Sequence, residues 1–487
     1  MDSLLALLPL LLVLGLLGSG RFGSLVAGAA GLAATLAVAL PALWRGVGAS
    51  GGLGPFAATV AREIGAGAWL AWHVIAIIAA GMFFQRVLQG RAGGAAGGPA
   101  QEATPRRLWS ACFLLAPFAE SVTGFGVGYI IALAALRRLG LGGLPALVLG
   151  LYSQTLVPWG ALAIGTTVGA TLAGLTPSQL GLASALLQLP IHAFYLALYW
   201  RFARAAGIAV PTAQKLDDAL WTALLLGLVV LLNRFSDAEI AGGAATALLL
   251  AVRFLRDERP GRAEIAAVLA RQAPYVALTL ALCATRLVPP LRDTLKPLLA
   301  LRPFEGQPAF APFYAPGFWL VAIGLVVAAR ARLRLGSVLR ETVRGAWRPC
   351  AVTLLFVVMA EFYVGAGLAQ AIATALQGAA GRAAVFAVPA FAAVGGFLTG
   401  GAAAANAMLM PMVIALARAT AVDPAWVAAV QNSIAANLTL LSPVRVSMGI
   451  ALLGLAGADG ALYRRAWPLA LPPLLAGAAA LAWLLLA

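Results

Sequence analysis

"FAESVTGFGVG", residues 118–128, sets a carboxylate (Glu120), two hydroxyls (Ser121 and Thr123) and three glycines (Gly124, Gly126 and Gly128) inside an apolar run. Arg106 and Arg107 precede that run, and Arg137 and Arg138 follow it. Hydrophobic residues make up 62% of the 487-residue chain and charged ones only 10%, with a mean hydropathy of +0.94, which excludes an ordinary soluble fold. In a membrane, short Arg-rich loops mark the cytoplasmic side, so both ends of the run 109–136 lie inside. One crossing takes about 20 apolar residues, too many for this run to cross twice. The run therefore reads as a re-entrant helical hairpin that enters from the cytoplasm, turns near the midplane and returns, with the quoted stretch as its tip.

The same reasoning fixes the rest of the chain. The net charge of +16 is spread through short loops between apolar runs, so it reads as membrane orientation and not as a nucleic-acid surface. Cys112, Cys283 and Cys350 stand in or at the edge of apolar runs, without metal-ligand or disulfide spacing. With only two histidines, His73 and His192, neither a metal site nor a cofactor is expected. The N-terminal "MDSLLALLPLLLVLGLLGSGRF" lacks a basic first region and reads as a retained first helix. Alternation then puts both termini outside a multi-pass protein, and the Arg-, Ala- and Gly-rich composition is compatible with a bacterial inner membrane.

The run 141–175 must cross once but is too long for one straight helix. The patch "YSQTLVPWG", residues 152–160, splits it into two half-helices. Irregular backbone at membrane depth survives only buried in protein or lining a wet cavity. The second half repeats the order: a hairpin over 383–417 centred on "GFLTGGAAAANAM" and a run over 425–455 broken within "QNSIAANLTLLSPVR", residues 431–445. Phe118 and Phe397 are separated by the same interval as Pro145 and Pro424. The expected architecture is an all-α polytopic membrane protein with inverted repeats, two re-entrant hairpins and two broken helices. Residues 1–215 form the first repeat, 216–262 linking helices and 263–487 the second repeat. Such repeats characterise secondary transporters, with the substrate bound where they meet.

"ESVTGFGVG", "WGALAIG", "RQAPYVALTLALCATRL", "YAPGFWL", "GGFLTGGAAAANAM" and "LLSPVRVSMGIALLGLAGADGALYRRA" resemble, in order and spacing, the bacterial lactate permease family over nearly the whole chain. The resemblance implies uptake of lactate or glycolate coupled to protons, and a layout similar to elevator-type ion transporters. Dimers are frequent among the latter, so a homodimer is expected by analogy of fold. The chain departs from the family pattern at the second tip, where "GGAAAAN" replaces a hydroxyl-rich, acidic stretch. It departs again at Thr439, where members often carry lysine, and at Arg445, which follows the Ser-Pro pair.

Candidate site residues follow from these positions. Glu120 near a midplane tip is a candidate proton carrier, the alternative being a carboxylate that accepts from nearby amides and holds the hairpin. Glu361, embedded in "VVMAEFYVG", is a second proton-coupling candidate or a structural partner of an arginine. Around an organic anion the sequence offers Ser121, Thr123, Gly124 and Gly126 at the first tip and Ser153, Gln154 and Thr155 at the first break. It offers Thr399, Gly400, Gly401 and Asn406 at the second tip, and Asn432, Ser433, Asn437, Thr439, Ser442 and Arg445 around the second break. A guanidinium at Arg445 suits bidentate capture of a carboxylate, or an ion pair with Glu120 or Glu361. The expected partners are thus a small organic anion, most simply a 2-hydroxy monocarboxylate, a proton or else sodium, and the lipid bilayer. The alternatives are a sodium-coupled or export carrier, an anion channel, and a membrane enzyme. No HExxH, GxSxG or Cys/His cluster supports the last.

Overall fold

The computed structural model describes residues 3–91, 102–124, 126–305 and 307–486. The expected cytoplasmic loop residues 92–101 and Phe125 of the first tip lie outside the described residues. The chain is all-helical there, apart from one isolated bridge between Leu301 and Phe310. Eleven described helices are long and apolar enough to cross a membrane, or 12 when the bent pair Gly143–Gln154 and Val157–Ala173, inclined at 55°, counts as one span.

The opening stretch joins two packed helical arms. The first runs through Pro105–Ser110, a π-helical turn Ala111–Leu115 and Ala116–Thr123; the second is Val127–Arg138. Between them Gly124 (φ 69°) and Gly126 (φ 87°) take left-handed backbone conformations open to glycine at little cost. Later in the chain, helices Ala387–Thr399 and Ala402–Ala419 meet at Gly400 and Gly401. Ala402–Ala419, and Leu368–Ala380 continued into Ala387–Thr399, also meet the length expected of a span. Length alone therefore does not set the second pair apart.

The first break lies where the sequence places it and extends further. Short 3₁₀ turns, Leu151–Gln154 and Val157–Trp159, lead into Ala161, Leu162 and Ala163, all with φ between 48° and 59°. The second break is narrower than "QNSIAANLTLLSPVR" suggested. Helix Pro424–Leu438 carries Gln431, Asn432, Ser433 and Asn437 in regular turns, and the interruption is confined to Thr439–Leu441 and Ser442. Polarity did not break the helix: Asn432 and Asn437 find partners on neighbouring elements, and none of the four draws the backbone out of its turns. Proline did: Ser442, directly before Pro443, is held at ψ 145°, out of the helical region.

Small residues bring these elements together. A Cβ on Gly396 would lie 2.0 Å from the Ala435 carbonyl oxygen, so the second pair packs backbone to backbone on helix Pro424–Leu438. Helix Ala238–Glu258 closes on the first arm at Gly242, where a Cβ would lie 2.8 Å from Ser121 Oγ. Tyr129, fully buried on the returning arm, donates to the Leu147 carbonyl at 3.1 Å and leaves no room for a side chain on Gly150 or Gly449.

Candidate functional site

Glu120 lies one turn before the first bend, and its carboxylate turns back onto the bend's own backbone. Oε1 accepts from the Gly126 amide at 3.1 Å and Oε2 from the Gly128 amide at 2.9 Å. Arg445 Nη2 approaches Oε1 at 3.4 Å. Both side chains are buried, Glu120 at 3% and Arg445 at 7% exposure. Of the roles open to Glu120, the structure displays the amide acceptor and the arginine partner together. An ideal charge-assisted contact is near 2.7–2.9 Å, so the guanidinium is paired loosely, and its Nε finds no partner among the described residues.

Arg445 owes its position to the second break. Ser442 is the N-cap of helix Pro443–Leu453, and its hydroxyl accepts from the Arg445 amide at 3.3 Å. That cap aims the third residue of the helix at the first bend. On the other side, Gly400 packs close to Ser442, where a Cβ would lie 3.1 Å from Oγ. The two bends thus converge on one interruption, Gly126 against Arg445 and Gly400 against Ser442. Gly124 packs in turn on Ala161 of the first break.

A second knot is neutral. Asn406 Nδ2 donates to the Gly165 carbonyl at 2.9 Å and to Asn432 Oδ1 at 2.8 Å, and Asn432 Nδ2 donates to Thr166 and Ser184 hydroxyls at 3.0 Å each. It ties the second pair, the first broken helix, helix Pro424–Leu438 and helix Pro177–Ala205 together. Asn437 donates to the Ser433 carbonyl and accepts from the Tyr195 hydroxyl. Thr166, Ser184 and Tyr195 were not singled out from the sequence; each sits in an apolar stretch with nothing to separate it from packing residues.

Several candidates serve local backbone. Thr123 donates to the Ala119 carbonyl, Thr155 to Tyr152, Thr439 to Ala436, and Thr399 to Gly395 and Gly401. Ser153 accepts from Gln154. Ser121 Oγ, Gln154 Oε1, Asn406 Oδ1 and Ser433 Oγ are buried without partners among the described residues. Buried polar atoms are rarely left so.

Glu361 is not brought into this assembly. It lies on helix Leu335–Gly365 and accepts from Gln307 Nε2 at 3.0 Å, with no hydrogen bond to Glu120 or Arg445. Its neighbour is Glu63, buried on helix Leu53–Arg91 and paired with Arg62 at 2.9 Å. Glu63 was not singled out from the sequence, where it stands beside Arg62. His192 is fully buried, with Nδ1 at 3.1 Å from the Gln188 carbonyl. Among the described residues no group of three His, Cys, Asp or Glu side chains could hold a metal ion.

No curated protein matches the chain. The family model described as L-lactate permease matches residues 302–482, a span that holds the second bend, Asn406 and Arg445, so over this part the chain is similar to that family.

Proposed function

We propose that the protein is a secondary carrier that takes up lactate or a related 2-hydroxy monocarboxylate together with a proton. The observation that carries this reading is the buried Glu120–Arg445 pair where the first bend meets the second break. An arriving carboxylate takes the guanidinium of Arg445 through two parallel N–H groups, as planar oxyanions do. Glu120 then loses its cation but keeps the Gly126 and Gly128 amides as donors, and in this proposal it receives the co-transported proton as the anion loads. The loaded site is close to neutral. This matters because an anion moving against a negative-inside potential loses about 2.3 kcal/mol per charge per 100 mV.

The inverted-repeat, elevator-type arrangement is part of the proposal. Its support is the order of elements: helices Leu53–Arg91 and Leu335–Gly365 precede the two turn-linked pairs, and the two interrupted helices follow them. In this reading the pairs are re-entrant, the termini lie outside, and the bacterial inner membrane is the location. The hydroxyls and amides around the breaks orient the 2-hydroxyl of the substrate.

The test is uptake into proteoliposomes of short monocarboxylates, 2-hydroxy acids, dicarboxylates and sulfonates, under a pH gradient and separately a sodium gradient. Saturable, pH-driven accumulation with counterflow is the expected result. Accumulation driven by sodium alone would overturn proton coupling, and unsaturable flux without counterflow would make the protein a channel.

A further inference from the structure

Away from the Glu120–Arg445 site, a cavity of about 960 Å³ opens between helix Leu53–Arg91, helix Pro316–Arg330, helix Leu335–Gly365 and the segment that precedes Pro316. Its body is apolar and reaches Ile164 and Val168 of the first broken helix. Its lining includes exposed apolar side chains of the apolar helices Leu53–Arg91 and Pro316–Arg330, namely Trp72 at 46%, Phe318 and Val321 at 37% and Leu325 at 44% exposure.

The charged end of the cavity is unbalanced. Asp237 and Glu239 are in the lining: Asp237 accepts from the neutral Tyr314 hydroxyl and keeps its charge, and Glu239 pairs with Arg286 at 2.7 Å. Lys296 and Arg302 are also in the lining and, among the described residues, have no carboxylate within salt-bridge distance; Lys296 overlies the Tyr314 ring at 5.7 Å, and with Arg286 counted three cations face two carboxylates. His73, also in the lining, has Nδ1 at 2.9 Å from the Trp69 carbonyl, which fixes the proton there, while its Nε2 is buried without a partner. The cavity therefore offers an apolar slot, one positive charge in excess and a buried histidine nitrogen.

We propose that this cavity is a binding site for one anionic, hydroxyl-bearing phospholipid of the phosphatidylglycerol class. Its phosphate is held by Lys296 and Arg302 and its acyl chain lies against the first broken helix. Basic pockets between membrane helices are suited to anionic headgroups, and a slot lined by exposed apolar side chains admits a chain from the bilayer without its entering water. A small free anion would balance the excess charge but leave the slot unfilled.

The experiment uses the full chain in detergent. Dioleoylphosphatidylglycerol is expected to raise the melting temperature by several degrees more than dioleoylphosphatidylcholine, and native mass spectrometry to retain one such lipid per chain. In a Lys296→Gln/Arg302→Gln variant that preference should vanish while the phosphatidylcholine response stays. Phosphatidylglycerol brominated on its acyl chains should quench fluorescence of the unmodified protein more than of Trp72→Phe, since Trp72 lines the slot. Equal shifts with both lipids, an equal shift with glycerophosphate alone, or quenching indifferent to Trp72 would each overturn the proposal. None of these readouts depends on transport, so they stand apart from the test of the carrier reading.

Discussion

Gly126 and Arg445 are in contact across the molecule: a Cβ built on Gly126 would lie 2.3 Å from Arg445 Nη1. The glycine also has φ 87°, so alanine there meets both a strained backbone and the guanidinium. We expect Gly126→Ala to lower uptake at least tenfold in a protein that still inserts. The backbone term alone is about 1–2 kcal/mol, and each 1.4 kcal/mol is about tenfold. Normal uptake at normal expression would show that the guanidinium can move aside freely.

Arg445→Gln removes the charge and leaves a shorter, neutral hydrogen-bonding group. A hydrogen bond to a charged group contributes about 1.5–3 kcal/mol, so the apparent KM for the transported anion should rise roughly ten- to hundredfold at 1.4 kcal/mol per decade. Initial-rate uptake curves read this directly. An unchanged curve would reduce Arg445 to a partner of Glu120.

Glu120→Gln keeps a side chain that can still accept from an amide at the bend, yet it cannot exchange a proton. Counterflow of labelled anion between equal pools should persist, whereas accumulation driven by a pH gradient should fall to the level of an uncoupled vesicle. Full proton-driven accumulation in this variant would move the coupling role elsewhere, with Glu361 next in line.

Asn406 and Asn432 share one hydrogen bond and each holds another element, so their losses should not add. Single changes to Ala should each cost about 1–3 kcal/mol, the penalty for leaving buried partners unsatisfied. A double-mutant cycle on thermal unfolding in detergent should then show coupling of about 0.5–3 kcal/mol. Additive effects would mean the knot does not act as a unit.

The orientation is testable without transport. Cysteines introduced at Gly90 and at Gly142, exposed positions on either side of the first arm pair, should both react with an impermeant reagent from the cytoplasmic face. Labelling from opposite faces would make the run 109–136 a full crossing.

The sequence made the membrane class, the bend at Gly124–Gly126 and the first break legible, because glycine and proline act locally and charge marks the loops. It misplaced the reach of the second break, since Asn432 and Ser433 look identical in a helix and in a coil; only Ser184 and Thr166, far away in the chain, decide. It could pair Glu120 with either an arginine or the backbone but could not foresee both at once. The match of Arg445 to the first bend depends on the cap at Ser442, which sets the direction of a side chain and leaves no trace in composition. Glu63 stayed hidden because its burial comes from a neighbouring helix that no local pattern announces.

The turn at Ala161, Leu162 and Ala163 bears on how freely this region can drift in sequence. Elsewhere in the helices alanine and leucine are favoured and glycine is disfavoured by about 1 kcal/mol. At three consecutive left-handed positions that order is inverted: glycine becomes the relaxed choice, and valine, isoleucine and threonine become the worst. Related chains can therefore carry glycine in this stretch without loss of the break, while a conservative-looking exchange of leucine for isoleucine at position 162 would be the damaging one.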